Sequence, residues 1–273
     1  MRRKWITKGY SVKSVLIFDS GVGGLSVFKE VAQLLPEQHV VYAFDNAAFP
    51  YGELADDVLI QRVCGMVSAI CQQQDISLVI IACNTASTLV LPHLRDLLNV
   101  PVVGVVPAIK PAAAISKSKI IGLLATPATI RRPYTHQLVK EFAPDCEVEM
   151  VGSTELVQMG EGKLRGRKVD KKILSDVLAP FINKTDCIVL GCTHFPLLRE
   201  EIEDILGEQC LVIDSGKAIA NRVVTLLKEG DQMTSLSKAE HFVFSSAPVK
   251  EEEALNQELE KLGFATISRA PIF

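Results

Sequence analysis

Two cysteines in matching contexts are the residues of this chain best placed to do chemistry. Cys83 follows the apolar run 78–82 and opens Cys83-Asn84-Thr85, while Cys192 follows 187–191 and opens Cys192-Thr193-His194. Both would end a buried strand and precede a helix, where backbone amides or a nearby cation lower a thiol from its free pKa near ~8.5. A thiol and a thiolate on opposite sides of a carbon acid can take a proton from one face and return one to the other. Such a pair inverts a stereocentre through a planar carbanion. Taken singly, either cysteine reads equally well as a small buried hydrophobe, so the repeated context carries the argument. Cys64 and Cys71 share one helical face and Cys146, Cys187 and Cys210 sit in or beside strand runs, which reads as packing.

Around the two thiols the loops are small and polar. Ser20, Asn84, Thr85, Thr126, Thr129 and Thr193 offer hydroxyl and amide groups, and Gly21, Gly23 and Gly24 expose backbone N–H groups. Helix N-termini of this kind hold carboxylates without an obligatory arginine, although a Ser or Thr there is equally a plain cap. Pro50-Tyr51-Gly52 reads as a turn after the second strand, on the cleft side. Asp19 ends an apolar strand, where an unpaired carboxylate is costly, which favours a functional role. His194 could supply a proton or positive charge beside Cys192, or be a satisfied core histidine. Glu155, by spacing alone, is an ordinary acidic residue in a first helical turn.

The elements that must position these residues alternate between short apolar runs and amphipathic stretches. Runs at 15–18, 40–44, 78–82 and 102–105 read as buried strands, with a helix over 56–73. The rhythm restarts with strands at 120–125, 148–151, 187–190 and 211–213 and helices at 130–142, 171–182 and 197–206. Parallel strands covered by helices follow, giving an α/β chain of two similar lobes related by a diverged repeat. Asp19 precedes Cys83, and Thr126 precedes Cys192, by nearly the same interval. The expected division is residues 1–106 plus 217–273 for the first lobe, after a basic extension of about 13 residues, and 107–216 for the second. Ligands of open α/β sheets bind beyond the carboxyl ends of the strands, so two facing lobes bring Asp19, Cys83 and Cys192 to one cleft.

Bulk properties narrow the classes. At 273 residues and 48% hydrophobic content the chain can fill buried cores. Its apolar runs are far shorter than the ~20 residues of a membrane helix. A net charge of −3 gives no general attraction to nucleic acid, although Arg2, Arg3, Lys4, Lys8 and Lys13 make the start basic. Seven cysteines without paired C-x-x-C spacing point to a reducing, cytoplasmic setting and to no metal.

Four strings then carry a family resemblance. Phe18-Asp19-Ser20-Gly21-Val22-Gly23-Gly24-Leu25-Ser26, Pro50-Tyr51-Gly52, Ala82-Cys83-Asn84-Thr85-Ala86-Ser87 and Gly191-Cys192-Thr193-His194-Phe195-Pro196-Leu197-Leu198 resemble, in order, the signatures of bacterial glutamate racemases. The resemblance implies two lobes of the aspartate/glutamate racemase type and interconversion of L- and D-glutamate without pyridoxal phosphate, metal or nucleotide, supplying D-glutamate to peptidoglycan. It makes Cys83 and Cys192 the acid/base pair, supported by Asp19, Glu155 and His194. It assigns substrate binding to Asp19, Ser20, Tyr51, Gly52, Asn84, Thr85, Thr193 and His194, with Thr126 and Thr129 assisting. The role of Glu155 comes from the resemblance and not from spacing. Extended family members also suggest an anionic cell-wall nucleotide precursor as activator, with the basic arm as its ligand, and a homodimer is compatible.

Two other readings remain open. Gly21-Val22-Gly23-Gly24 after a strand, with Asp45 ending the next, resembles part of a dinucleotide fingerprint, but Ser26 stands where its last glycine belongs. A non-catalytic binding protein for acidic amino acids would need the polar loops but not the thiols. On the racemase scaffold itself, aspartate or another amino acid could replace glutamate. The segment after about residue 238 matches no assignable pattern.

Overall fold

The computed structural model describes residues 13–232 and 239–273. The first half runs β1 (Ser14–Asp19), α1 (Leu25–Leu34), β2 (Val40–Phe44), α2 (Asp56–Cys71), β3 (Ile76–Ile81), α3 (Asn84–Leu97), β4 (Val102–Gly104) and α4 (Ile109–Ile115). The second continues β5 (Ile120–Ala125), α5 (Pro127–Arg131), α6 (Pro133–Phe142), β6 (Glu147–Gly152), α7 (Glu155–Lys163), α8 (Lys171–Leu178), β7 (Cys187–Gly191), α9 (Arg199–Leu206) and β8 (Leu211–Ile213). After α10 (Gly216–Glu229) come β9 (His241–Ser245), α11 (Glu252–Lys261) and β10 (Ser268–Arg269).

Every strand pair is parallel. One sheet has the order β10-β9-β2-β1-β3-β4 and the other β6-β5-β7-β8. Within each, the first four strands in sequence take the same places, second, first, third, fourth, so the repeated order is a property of the fold. The strands are apolar on both faces because helices cover both. Val15 and Ile17 enter one core with α1 and α10, while Leu16 and Phe18 enter another with α2 and α3. Likewise Leu124 and Ile188 face α7 and α8, and Leu123 and Val189 face α4 and α6.

Two differences from the sequence expectation have local causes. The stretch 130–142 is two helices, because Pro133 removes an amide and pushes Arg132 out of the helical region to φ −68°, ψ 131°. The segment after residue 238, in which the sequence offered no assignable pattern, forms a strand of the first sheet, the lobe in which 217–273 was expected: β9 pairs with β2 from Val40 opposite His241 to Phe44 opposite Ser245. The basic residues Arg2, Arg3, Lys4 and Lys8 lie outside the described residues. No described helix is long and apolar enough to cross a membrane.

Candidate active site

The carboxyl ends of β1, β3, β5 and β7 face one another across the gap between the sheets and enclose a cavity of about 140 Å³. Cys83 and Cys192 both line it, buried at 6% and 7% exposure. Cys83 leaves β3 in extended conformation as the residue preceding α3, so its sulfur meets the Ala86 amide. Cys192 follows β7, and its sulfur lies 3.8 Å from Nδ1 of His194, which the following tight turn folds back beside it.

Asp19 is fully buried at the end of β1. One carboxylate oxygen accepts from the Ser20 amide at 2.7 Å; the other accepts from the Gly24 amide at 2.6 Å and the Thr193 hydroxyl at 3.1 Å. Burial raises its pKa, and the His194 charge and these donors recover only part of the cost, leaving about 6. Burial also pushes the Cys83 thiol well above its ordinary range, helped by the negative charge of Asp19. His194 is raised as well, by a different cause. Burial works to lower it, but the contacts with Cys192 and Glu161 more than offset that, and its pKa stands well above 6.5.

Ser20, Tyr51, Gly52, Asn84, Thr85, Thr126, Thr193 and His194 all line the cavity. Asn84 is buried, and its side-chain oxygen has no hydrogen-bond partner among the described residues. Thr129 stands behind the wall: its hydroxyl is 3.2 Å from that of Thr85 and 2.9 Å from that of Thr126, a three-hydroxyl cluster joining the lobes. Tyr51 is held from below by Asp45, whose carboxylate also takes both Arg62 nitrogens and the Ser246 hydroxyl. Those four donors occupy Asp45, which removes it from the ribose-binding role that a dinucleotide site would require.

Glu155 is the exception. It is an exposed first-turn residue of α7 and lies outside the cavity wall. The carboxylate that meets the site belongs instead to Glu161, on the buried face of the same helix, 2.8 Å from His194 Nε2 and accepting the Val22 amide at 2.7 Å. Burial works to raise the Glu161 carboxyl; the hydrogen bond and charge of His194, the Arg165 guanidinium and the Val22 amide outweigh it and hold it below the usual range. Two glycines could have signalled this position. Gly160 and Gly162 flank Glu161, and a Cβ on Gly160 would come within 3.1 Å of the His194 carbonyl oxygen. The cavity wall also includes Arg131 and Glu53, which the sequence did not single out. Among the described residues no group of three or more His, Cys, Asp or Glu side chains is placed to hold a metal ion.

Fold and site together define a two-lobed α/β protein with one thiol from each lobe facing a shared cavity lined by hydroxyls, an amide and a histidine that is backed by a glutamate. Residues 20–223 match the family model Asp/Glu/Hydantoin racemase, and the chain belongs to that family. It is 56% identical over 255 residues to the glutamate racemase of Aliivibrio fischeri, covering 93% of this chain and 96% of that protein. The Vibrio cholerae glutamate racemase is likewise 56% identical over 254 residues, with 93% and 95% covered. Among solved structures, Escherichia coli glutamate racemase in complex with L-glutamate and the activator UDP-MurNAc-ala superposes with a TM-score of 0.90 at 44% identity. That match covers 96% of this chain and 99% of the other.

Proposed function

We propose that this protein interconverts L- and D-glutamate by proton transfer between the substrate α-carbon and the thiols of Cys83 and Cys192, supplying D-glutamate to cell-wall synthesis in the cytoplasm. The observation that carries the reading is that two cysteines, ending equivalent strands of two sheets, line one buried cavity. The likeness to curated glutamate racemases supplies the substrate.

The chemistry follows from the surroundings of each sulfur. A histidine held protonated 3.8 Å from Cys192 stabilises negative charge on that sulfur. Cys83, without a cation and beside Asp19, holds its proton. The site thus sets one thiol beside an imidazolium and the other beside a carboxylate, and the two exchange acid and base roles when the opposite enantiomer binds. Asn84 Oδ1, buried and unpartnered, is suited to accept from the substrate ammonium group. The hydroxyls of Ser20, Thr85, Thr126 and Thr193 are suited to its carboxylates, and the burial of Ser20, Thr85 and Thr193 limits the water that would compete for the carbanion.

Both enantiomers have the same free energy in water, so kcat/KM must be equal in the two directions for wild type and for any variant. The test is therefore made on hydrogen exchange. In heavy water without added cofactor, wild type should invert either enantiomer with solvent deuterium at Cα. Cys83→Ser and Cys192→Ser should each lower inversion by at least about 10²-fold, while each retains exchange on a different enantiomer, the one whose Cα–H faces the remaining thiol. Inversion that requires pyridoxal phosphate, or a single variant that racemises at the wild-type rate, overturns the reading.

We extend to this chain the activation seen in the Escherichia coli protein's complex with UDP-MurNAc-ala. Arg95 and Arg222 line a second hollow beside β4 and α10 and offer cations to a diphosphate. The basic arm expected to take part lies outside the described residues. Equal activity with and without UDP-N-acetylmuramoyl-alanine would end this extension.

A further inference from the structure

Arg165 lies just beyond α7 and has no contact with the cavity, yet its side chain is 92% buried, with only 8% exposed. Its Nη1 donates to Glu161 Oε2 at 2.6 Å and to the Glu161 carbonyl at 2.7 Å. Its Nε donates to the carbonyl of Lys250 at 3.2 Å, on the segment that follows β9 in the other lobe. An arginine this buried is tolerated only with a partner, and here the partner is the carboxylate that faces His194. The line Arg165, Glu161, His194, Cys192 is unbroken, at 2.6, 2.8 and 3.8 Å.

We propose that Arg165 is a positioning residue for proton transfer at Cys192: it fixes the Glu161 carboxylate so that Oε1 stays on His194, and the Lys250 carbonyl keeps the guanidinium from swinging to solvent. This rests on the two-thiol reading above and adds to it a residue outside the cavity.

The geometry explains why one cation is not enough. Glu161 Oε1 takes both the His194 nitrogen and the Val22 amide, and the second of these crosses the cleft, so on the open side of the cycle His194 alone would hold it. Among the described residues Oε2 has Arg165 as its only charged partner. Without it, a buried carboxylate oxygen is left unpaired, and the side chain relieves that cost by turning away or by taking up a proton. Either outcome weakens the carboxylate's hold on His194 and lets the imidazolium lose its proton more readily. The other ionisable groups around His194 are Cys192 beside it and Asp19 across the cavity, with Cys83 and Tyr42 beyond Asp19. None of these can replace the charge of Arg165 on Glu161.

The experiment compares wild type, Arg165→Met and Arg165→Lys by kcat/KM from pH 6 to 10, with thermal melting beside it. Methionine keeps the length and apolar stem but removes charge and donors; lysine keeps the charge. The expected result for Arg165→Met is a loss of at least roughly tenfold near pH 8, since small misplacements of a reacting group cost this much. Its alkaline limb should also move to lower pH, while Arg165→Lys keeps the wild-type limb. A uniform loss in Arg165→Met with the limb unmoved, or unchanged activity, overturns the proposal, because a merely structural arginine would lower activity without altering the profile. If Arg165→Met is insoluble, Arg165→Gln takes its place with the same expected shift. Absence of inversion by wild type at every pH would instead refute the racemase reading.

Discussion

Replacing Asp45 by asparagine should weaken both the fold and the cavity floor, and the size of the effect can be worked from its contacts. Oδ2 accepts from Arg62 Nε at 2.7 Å and from the Tyr51 hydroxyl at 2.9 Å; Oδ1 accepts from Arg62 Nη2 at 2.7 Å and from the Ser246 hydroxyl at 2.6 Å. An asparagine oxygen can take one of these pairs, and its amide then points two hydrogens at two donors. One hydroxyl can turn to accept, but Arg62 cannot. Losing two hydrogen bonds to a buried charge costs about 1.5–3 kcal/mol each. The Arg62 side chain is 29% exposed and recovers some hydration, so a net loss of about 3 kcal/mol is expected. For a chain of this size that lowers the melting temperature by roughly 6–10 °C. Tyr51 loses its anchor as well, so KM for glutamate should rise several-fold. The pH dependence carries a sign. Burial works to raise the Asp45 carboxyl, but the hydrogen bonds of Arg62, Ser246 and Tyr51 hold it below 3.8 in the folded protein. Its stabilisation is therefore present above about pH 4 and lost as pH falls through the depressed folded value. The difference in stability between wild type and Asp45→Asn should be flat from pH 8 to 5 and shrink below 4. A variant melting within 2 °C of wild type with unchanged KM would refute the reasoning.

Three further substitutions probe other parts of the structure. Gly21→Ala would place a Cβ against Glu161 Oε1 and the Phe49 ring; kcat/KM should fall about 10²-fold, and steady-state kinetics showing a wild-type value would contradict that close approach. His241 packs between the rings of Phe28 and Phe264, and burial, with the charge of His39 adding to it, lowers its pKa to about 4. Both states are neutral above the unfolded value near 6.5, and between 6.5 and 4 only the unfolded chain takes up the proton, so the fold loses stability as pH falls. His241→Phe should remove that loss, gaining about 1–2 kcal/mol on wild type at pH 5 relative to pH 7.5 in denaturant titrations; a pH-independent difference would show that His241 does not titrate this way. Arg132 and Asp56 form a two-bond ion pair between the lobes at 2.7 and 2.6 Å, with Asp56 half exposed. Asp56→Ala should change stability by no more than about 1 kcal/mol but raise KM two- to fivefold; a larger stability loss with KM unchanged would mean the pair serves folding rather than closure.

What the sequence revealed was governed by whether a residue's role depends on its own stretch of chain. β2, β5 and β8 have the bounds their apolar runs suggest; for β2 and β5 the reason is that a strand covered on both faces must be apolar throughout, while β8 is a partly exposed edge strand. The two cysteines were legible because each is fixed by the strand before it and the helix or turn after it. The break at Pro133 was written in the sequence, since proline at a first helical position forces the preceding residue out of the helix. β9 was harder. Its five residues, His241–Ser245, are apolar enough for a strand, but only the neighbouring β2 decides that they form one. The exchange of Glu155 for Glu161 is instructive for the same reason. Both carboxylates lie on α7, and their difference is rotational: the face bearing Leu156, Val157, Gly160 and Glu161 is buried, while Glu155 points to solvent. The partner of that face, His194, is far away in sequence, and the local trace it leaves is the pair of glycines that flank Glu161. Thr129 is a similar case, since its three-residue link to Thr126 reads as a cap and its link to Thr85 requires the other lobe.

The same dependence on distant partners explains how the site works as a unit. Asp19, from the first sheet, is held by the Thr193 hydroxyl of the second; Glu161, from the second, is held by the Val22 amide of the first; Ser26 donates to the Thr193 carbonyl at 2.9 Å. Asp19 and Glu161 thus each have a hydrogen bond that exists only while the lobes are together. Separating the lobes would admit water and glutamate and relax the burial that raises Asp19 and Cys83, while the contacts of His194 with Cys192 and Glu161 lie within one lobe and would remain. The dependence of the site on closure therefore falls chiefly on the first lobe, at Asp19 and Cys83, and the bonds between the lobes are what hold it.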